Sequence, residues 1–319
     1  MSETLDEIEL PAARSNRPVT LAHRIEFFFA LALGGFFRVI GVDAASAISG
    51  RFLRVVGPMI APLQRRGAAN LRLAFPEMSA GEIDAILRDV WENLGRTAAE
   101  FSHLGLFDPN AGDRVTIEGR EKLDAIIASG RPAVFVSGHF ANWEVIPRSM
   151  HAAGVQYAFV YRAANNPLVD GLIIRTRAKV MSRRQIPKGK RGGRDLIEAL
   201  RSGVSLAMLV DQKLTGGIPS PFFGRPAMTA PAAARLALKF AAPVVSIGIE
   251  RVKGARFRLY VSDPITIETT DDAIADTQAL TDRINLEIER MIRDRPGQCL
   301  WLHRRWGKEV SVEAGDVKS

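Results

Sequence analysis

Val204-Ser-Leu-Ala-Met-Leu-Val210 is a run of seven residues with one polar side chain, and Asp211 follows it directly. A strand with water on one face alternates apolar and polar residues. A near-continuous apolar run instead predicts a strand covered on both faces, as in a largely parallel sheet between helices. Working outward, residues 133–137, 157–161, 244–249 and 257–261 also read as strands, with helical patterns between most of them. That alternation predicts an α/β fold: a mixed, largely parallel sheet flanked by helices. Upstream, Ser79-Ala-Gly-Glu82 has the form of a capping box, and Ile83, Ile86, Leu87, Val90, Trp91 and Leu94 follow on one helical face.

In such sheets functional loops gather at the carboxyl ends of the strands. Two chemistry-bearing segments sit there: Ser137-Gly-His139-Phe-Ala-Asn-Trp-Glu144 and Asp211. His139 and Glu144 are five positions apart, roughly 140° of rotation on a regular helix, so a turn must intervene for them to meet. With His139 ending a strand and Glu144 on the first turn of the next helix, the carboxylate reaches one ring nitrogen and leaves the other for a substrate proton. The competing reading is a buried histidine bonded to a neighbour. For Asp211 three roles stand open: binding a substrate hydroxyl, holding Arg162, or capping the following turn.

At 319 residues and 47% hydrophobic, the chain can bury a core as one large domain with an appendage. Lys and Arg number 43 against 35 Asp and Glu, a net charge of +8 that calls for an anionic partner: lipid, an acidic protein or nucleic acid. The single cysteine, Cys299, excludes an internal disulfide and reads as a small core residue. No strongly basic lead precedes the apolar part of the N-terminus, which argues against a secretory signal. The run from Phe27 to Phe37 falls short of the ~20 residues that cross a bilayer. Phe27, Phe28, Phe29, Phe36 and Phe37 therefore read as an interfacial or re-entrant helix, with an ordinary buried helix as the alternative. In Trp301-Leu-His303-Arg304-Arg305-Trp306, cations lie between two indoles, a pattern favoured at a membrane interface. No strand alternates aromatic and basic residues, so no nucleic acid is expected. Lys188-Gly-Lys-Arg-Gly-Gly-Arg194 reads as a flexible basic loop. Three parts result: residues 1–60, an N-terminal helical membrane-associating segment; 61–310, an α/β domain; and 311–319, a polar tail. No Gly-x-Ser-x-Gly elbow or Gly-rich phosphate loop is present, and no histidine has metal-ligand spacing, so neither metal nor cofactor is expected.

Five segments in order resemble the lipid A secondary acyltransferases of Gram-negative bacteria, the lauroyl and myristoyl transferases, within the lysophospholipid acyltransferase superfamily. They are His139-Phe-Ala-Asn-Trp-Glu144, Val160-Tyr-Arg162-Ala-Ala-Asn-Asn-Pro-Leu-Val-Asp170, Leu209-Val-Asp211-Gln212-Lys213, Pro221-Phe-Phe-Gly224-Arg225-Pro226 and Trp301 to Trp306. The chain departs from some members in having Lys213 at an acidic position. The resemblance implies an inner-membrane enzyme, on the cytoplasmic face, that moves an acyl group from acyl carrier protein to a 3-hydroxyacyl chain of a lipid A precursor, with anionic lipids as its surface. It implies His139 and Glu144 as the catalytic pair, and Arg162, Asp211 and Arg225 as groups that bind substrate or the oxyanion. Acyl transfer to another lipid, or a non-catalytic basic protein binding membranes or nucleic acid, are the alternatives.

Overall fold

The computed structural model describes residues 18–307, and of residues 190 and 191 only the backbone. Four helices come first: α1 (Leu21–Ile40), α2 (Val42–Val56), α3 (Ala61–Ala74) and α4 (Ala80–Glu100). Strands and helices then alternate: β1 (Val115–Glu118), α5 (Arg120–Ser129), β2 (Val134–Ser137), α6 (Val145–Ala152), β3 (Tyr157–Tyr161), α7 (Pro167–Ala178), β4 (Gln185–Pro187), α8 (Lys190–Arg201) and β5 (Ser205–Leu209). A hairpin, β6 (Ile218–Phe222) and β7 (Arg225–Thr229), leads to α9 (Ala232–Phe240), β8 (Val244–Lys253), β9 (Arg256–Ile265) and α10 (Ala273–Asp294). Seven strands form one sheet in the order β1-β9-β8-β2-β5-β3-β4, in which only the β8–β9 pair is antiparallel. This is the mixed, largely parallel, helix-flanked sheet that the apolar runs predict.

The capping box forms: Ser79 Oγ accepts from the Glu82 amide and Glu82 Oε2 accepts from the Ser79 amide. α4 then buries Ile83, Leu87, Val90 and Trp91 in the main core. It packs so closely on α2 that a Cβ on Gly95 would lie 2.3 Å from the Ser49 carbonyl oxygen. β2 is buried along its whole length, whereas β5 is buried only at Ser205 and Leu206, because its second half opens onto a cavity.

Several expectations are corrected. The basic stretch at 188–194 is not a loop: from residue 190 it is the first turn of α8, seated so tightly that a Cβ on Gly192 would lie 2.2 Å from the Pro187 carbonyl oxygen. Prolines 219, 221 and 226 hide a hairpin, tolerable because β6 and β7 stand apart from the main sheet. Its two turn residues, Phe223 and Gly224, both have positive φ, the signature of a tight two-residue hairpin turn. The Thr229 hydroxyl donates to the Ala227 carbonyl.

Residues expected at a membrane interface divide into two groups. Phe28, Phe29 and Phe36 are exposed on α1, and Phe27 is half-buried there. Phe37 turns inward and packs with Ala45 and Ala99. Of the four expected near the C-terminus, Arg304 is exposed, while Trp301, Arg305 and Trp306 are buried. For Trp301 and Arg305 burial is tolerable because partners are supplied. The Trp301 indole donates to the Pro296 carbonyl, and Arg305 donates to Met228 O, Thr229 Oγ1 and Asn285 Oδ1 while stacking on Phe222. Burial lowers the Arg305 pKa to about 10. Among the described residues no helix is long and apolar enough to cross a membrane. The tail at 311–319 lies outside the described residues.

Candidate active site

Ser137 of β2 pairs in register with Leu209 of β5. Two residues further along each strand's continuation stand His139 and Asp211, so the parallel register delivers imidazole and carboxylate side by side at the carboxyl edge of the sheet. His139 Nδ1 lies 2.7 Å from Asp211 Oδ1, and the His139 backbone amide donates to Asp211 Oδ2 at 2.9 Å. Burial pushes the Asp211 carboxyl up, but the charge of His139 and these two hydrogen bonds outweigh it and hold the carboxyl below its ordinary value. An ionised Asp211 keeps the ring proton on Nδ1 and leaves Nε2 to accept one. At Nε2 stands the Gln212 amide nitrogen, 3.3 Å away. Trp143 meets the ring edge-on at 5.1 Å, and His303 lies at 6.2 Å between centroids. Burial and the neighbouring His139 lower the pKa of His303.

Glu144 does not contact the imidazole as expected. It sits at the N-cap of α6, and both its oxygens receive the guanidinium of Arg177 from α7, with Arg177 Nε to Oε2 at 2.8 Å. Arg177 also lies over the Phe101 and Phe159 rings. The cause is the turn between His139 and Glu144. Ala141 is fully buried with φ +41°, a conformation L-residues rarely adopt, and it directs the chain into α6 with Glu144 aimed at α7.

Surrounding elements hold that turn. Asn93 and Thr97 of α4 both donate to the Ala141 carbonyl, at 2.8 and 2.9 Å, and the Ala141 amide donates to Gln298 O. The Leu300 amide donates to His139 O. Asn142 donates to Glu100 Oε2 at 2.9 Å and accepts the Glu144 amide. Glu100 is fully buried, and it also accepts from Ser46 of α2 at 2.6 Å and from two nitrogens of Arg251. None of these supports was visible in the sequence except Asn142, which lies inside the motif itself.

His139 opens into a cavity of about 260 Å³ between α6 and the strands. Its buried lining is mostly apolar, including Phe135, Ile146, Met150 and Ile247, with Ser137 and Glu144 as polar members; its exposed lining carries Arg162 and Lys188. His139, Glu144 and Arg162 thus share one cavity, with Asp211 directly behind His139. Arg225 is not among the described residues that line it: its Nε donates to Leu73 O beside the hairpin turn. Arg177 and Lys188, which do line it, carry no distinguishing signal in an arginine-rich sequence. Cys299 is buried, and burial pushes its thiol well up, in keeping with a core role. Among the described residues no group of three His, Cys, Asp or Glu side chains could hold a metal ion.

A cavity with apolar walls and an imidazole hydrogen-bonded to a carboxylate at its polar end suits transfer chemistry on a fatty chain. Comparison with known proteins agrees. The family model described as bacterial lipid A biosynthesis acyltransferase matches residues 15–308. The chain is 26% identical to the lipid A biosynthesis palmitoleoyltransferase of Escherichia coli (strain K12) over 79% of its own length and 82% of the relative's. It is 28% identical to the lipid A biosynthesis myristoyltransferase of the same organism, over 80% and 78%. To the lauroyltransferase of that pathway it is also 28% identical, over 74% and 76%. The protein belongs to the bacterial lipid A biosynthesis acyltransferase family.

Proposed function

We propose that this acyltransferase moves a fatty acyl group from an acyl carrier protein thioester to the hydroxyl of a 3-hydroxyacyl chain on a lipid A precursor, at the cytoplasmic face of the inner membrane. The observation that carries the reading is the 2.7 Å contact between His139 Nδ1 and Asp211 Oδ1 at the polar end of an apolar cavity. His139 Nε2 takes the proton of the acceptor hydroxyl as its oxygen attacks the thioester carbonyl. The resulting oxyanion collapses and expels the carrier's thiolate, which takes that proton back from the imidazolium, so ester and thiol are the products. Asp211 keeps the tautomer and steadies the imidazolium. The Gln212 amide and Arg162 are the groups able to meet substrate or oxyanion. Glu144, locked to Arg177, is a positioning residue that fixes the cavity wall.

Membrane attachment is supported by the exposed apolar face of α1 and α2, where Phe28, Phe29, Phe36, Phe52 and Val55 face outward. The names of the relatives supply the acceptor class. Incubating the purified protein with acyl carrier protein thioester and a tetra-acylated lipid A precursor, followed by mass spectrometry, tests the reaction. One added acyl chain is expected with the wild type and none with His139→Ala. A wild type inactive towards this acceptor, or an active His139→Ala, overturns the assignment.

A further inference from the structure

The ionisable groups of the site do not balance. Its two carboxylates are both engaged, Asp211 by His139 and Glu144 by Arg177. Arg162 and Lys188 line the same cavity, and neither has an ion-pair partner among the described residues. They are also neighbours by construction. Tyr161 at the end of β3 pairs in parallel register with Pro187 at the end of β4, and the Lys188 amide donates to Tyr161 O at 2.8 Å, carrying the ladder one residue further. Arg162 and Lys188 are the next residue on each strand, about 4.8 Å apart across the ladder at the backbone. Four contiguous strands therefore bear two in-register pairs at the carboxyl edge of the sheet: His139 with Asp211 on β2 and β5, and Arg162 with Lys188 on β3 and β4. The first pair is complementary. The second sets like charges side by side with no carboxylate paired to either among the described residues, an arrangement that an anion would complete. Partial burial and the repulsion of Arg162 already lower the pKa of Lys188, against the attraction of Asp211.

We infer that Arg162 and Lys188 form a phosphate-binding site at the mouth of the catalytic cavity, which holds a phosphate group of one substrate while its acyl chain or acceptor hydroxyl reaches His139. Arg162 then serves substrate binding, and the oxyanion falls to Gln212 and backbone amides. Two phosphates fit this chemistry: the phosphodiester of the carrier's pantetheine arm, and a phosphate on the acceptor's sugar. The choice of substrates rests on the acyl-transfer reading; the anion site itself does not.

The test therefore has a binding arm and a kinetic arm. Calorimetry on the full chain compares pantetheine 4′-phosphate with pantetheine, and glucosamine 1-phosphate with glucosamine. One phosphorylated probe is expected to bind, its phosphate-free counterpart not, and Lys188→Gln to weaken that binding about ten-fold, with Lys188→Arg restoring it. In turnover, Lys188→Gln should raise the KM for the matching substrate by a similar factor and leave the KM for the other unchanged, which identifies the source. Failure of both phosphorylated probes to bind the wild type, or equal binding by Lys188→Gln, overturns the site. A wild type that binds a probe yet acylates no lipid A precursor would leave the site standing and sink the acyl-transfer reading instead.

Discussion

Asp211 acts on His139 through two contacts at once, on the ring and on the backbone, so it fixes both the proton on Nδ1 and the placement of the residue. Asp211→Asn offers an amide in place of the carboxylate and no longer favours that tautomer. Its turnover should fall on the order of 10²–10⁴-fold, the usual worth of a positioned base, with the circular dichroism spectrum unchanged. A turnover within two-fold of the wild type would remove Asp211 from the mechanism. There is a linked effect on stability. The folded-state carboxyl is depressed, so ionised Asp211 stabilises the fold above its ordinary value of 3.8, and this contribution is lost as pH falls through the folded value. Denaturation midpoints measured below pH 4 should accordingly fall less steeply in the asparagine variant.

At the scale of elements, the segment from His139 to Glu144 is held in an unfavourable turn by α4, by Arg251 of β8 and by residues 298–300. Glu100 is the hub, reached from α2 by Ser46, from the turn by Asn142 and from β8 by Arg251. Glu100→Ala leaves the buried Arg251 guanidinium without its carboxylate, and breaking a buried pair in this way costs about 3–5 kcal/mol. Urea denaturation should register that loss, and replacing both partners by apolar residues should recover much of it; a loss below about 1 kcal/mol would show that Glu100 is not the hub. His139, Asp211 and the strands that carry them could be read from local pattern. Arg177 and Glu100 could not, because their roles exist only where α7 and α4 meet the turn.

For the whole molecule, apolar side chains are distributed unequally between surface and core. Phe28, Phe29 and Phe52 are each more than 60% exposed on neighbouring helices, whereas Trp301 and Trp306 are at most 3% exposed. If α1 and α2 dock on lipid, Phe28→Ser, Phe29→Ser and Phe52→Ser combined should release the protein from anionic vesicles in a flotation assay without changing its denaturation midpoint. Trp306→Ala should do the reverse, lowering stability by about 3–5 kcal/mol and leaving vesicle binding intact. Vesicle release by the tryptophan variant would return the C-terminal cluster to the membrane surface.

The sequence by itself determined the class of fold and the place of His139 at the end of a strand, because apolar runs and strand-to-helix alternation are local properties that burial on both faces of a sheet imposes directly. Only the tertiary structure decided which carboxylate serves His139. Glu144 is near in sequence but is carried off towards Arg177 by a single residue with positive φ, while Asp211, 72 positions away, arrives through the parallel register of β2 and β5. The same holds for Trp301 and Arg305, since an amphipathic side chain suits a membrane interface or a hydrogen-bonded core equally well until its partners are in place.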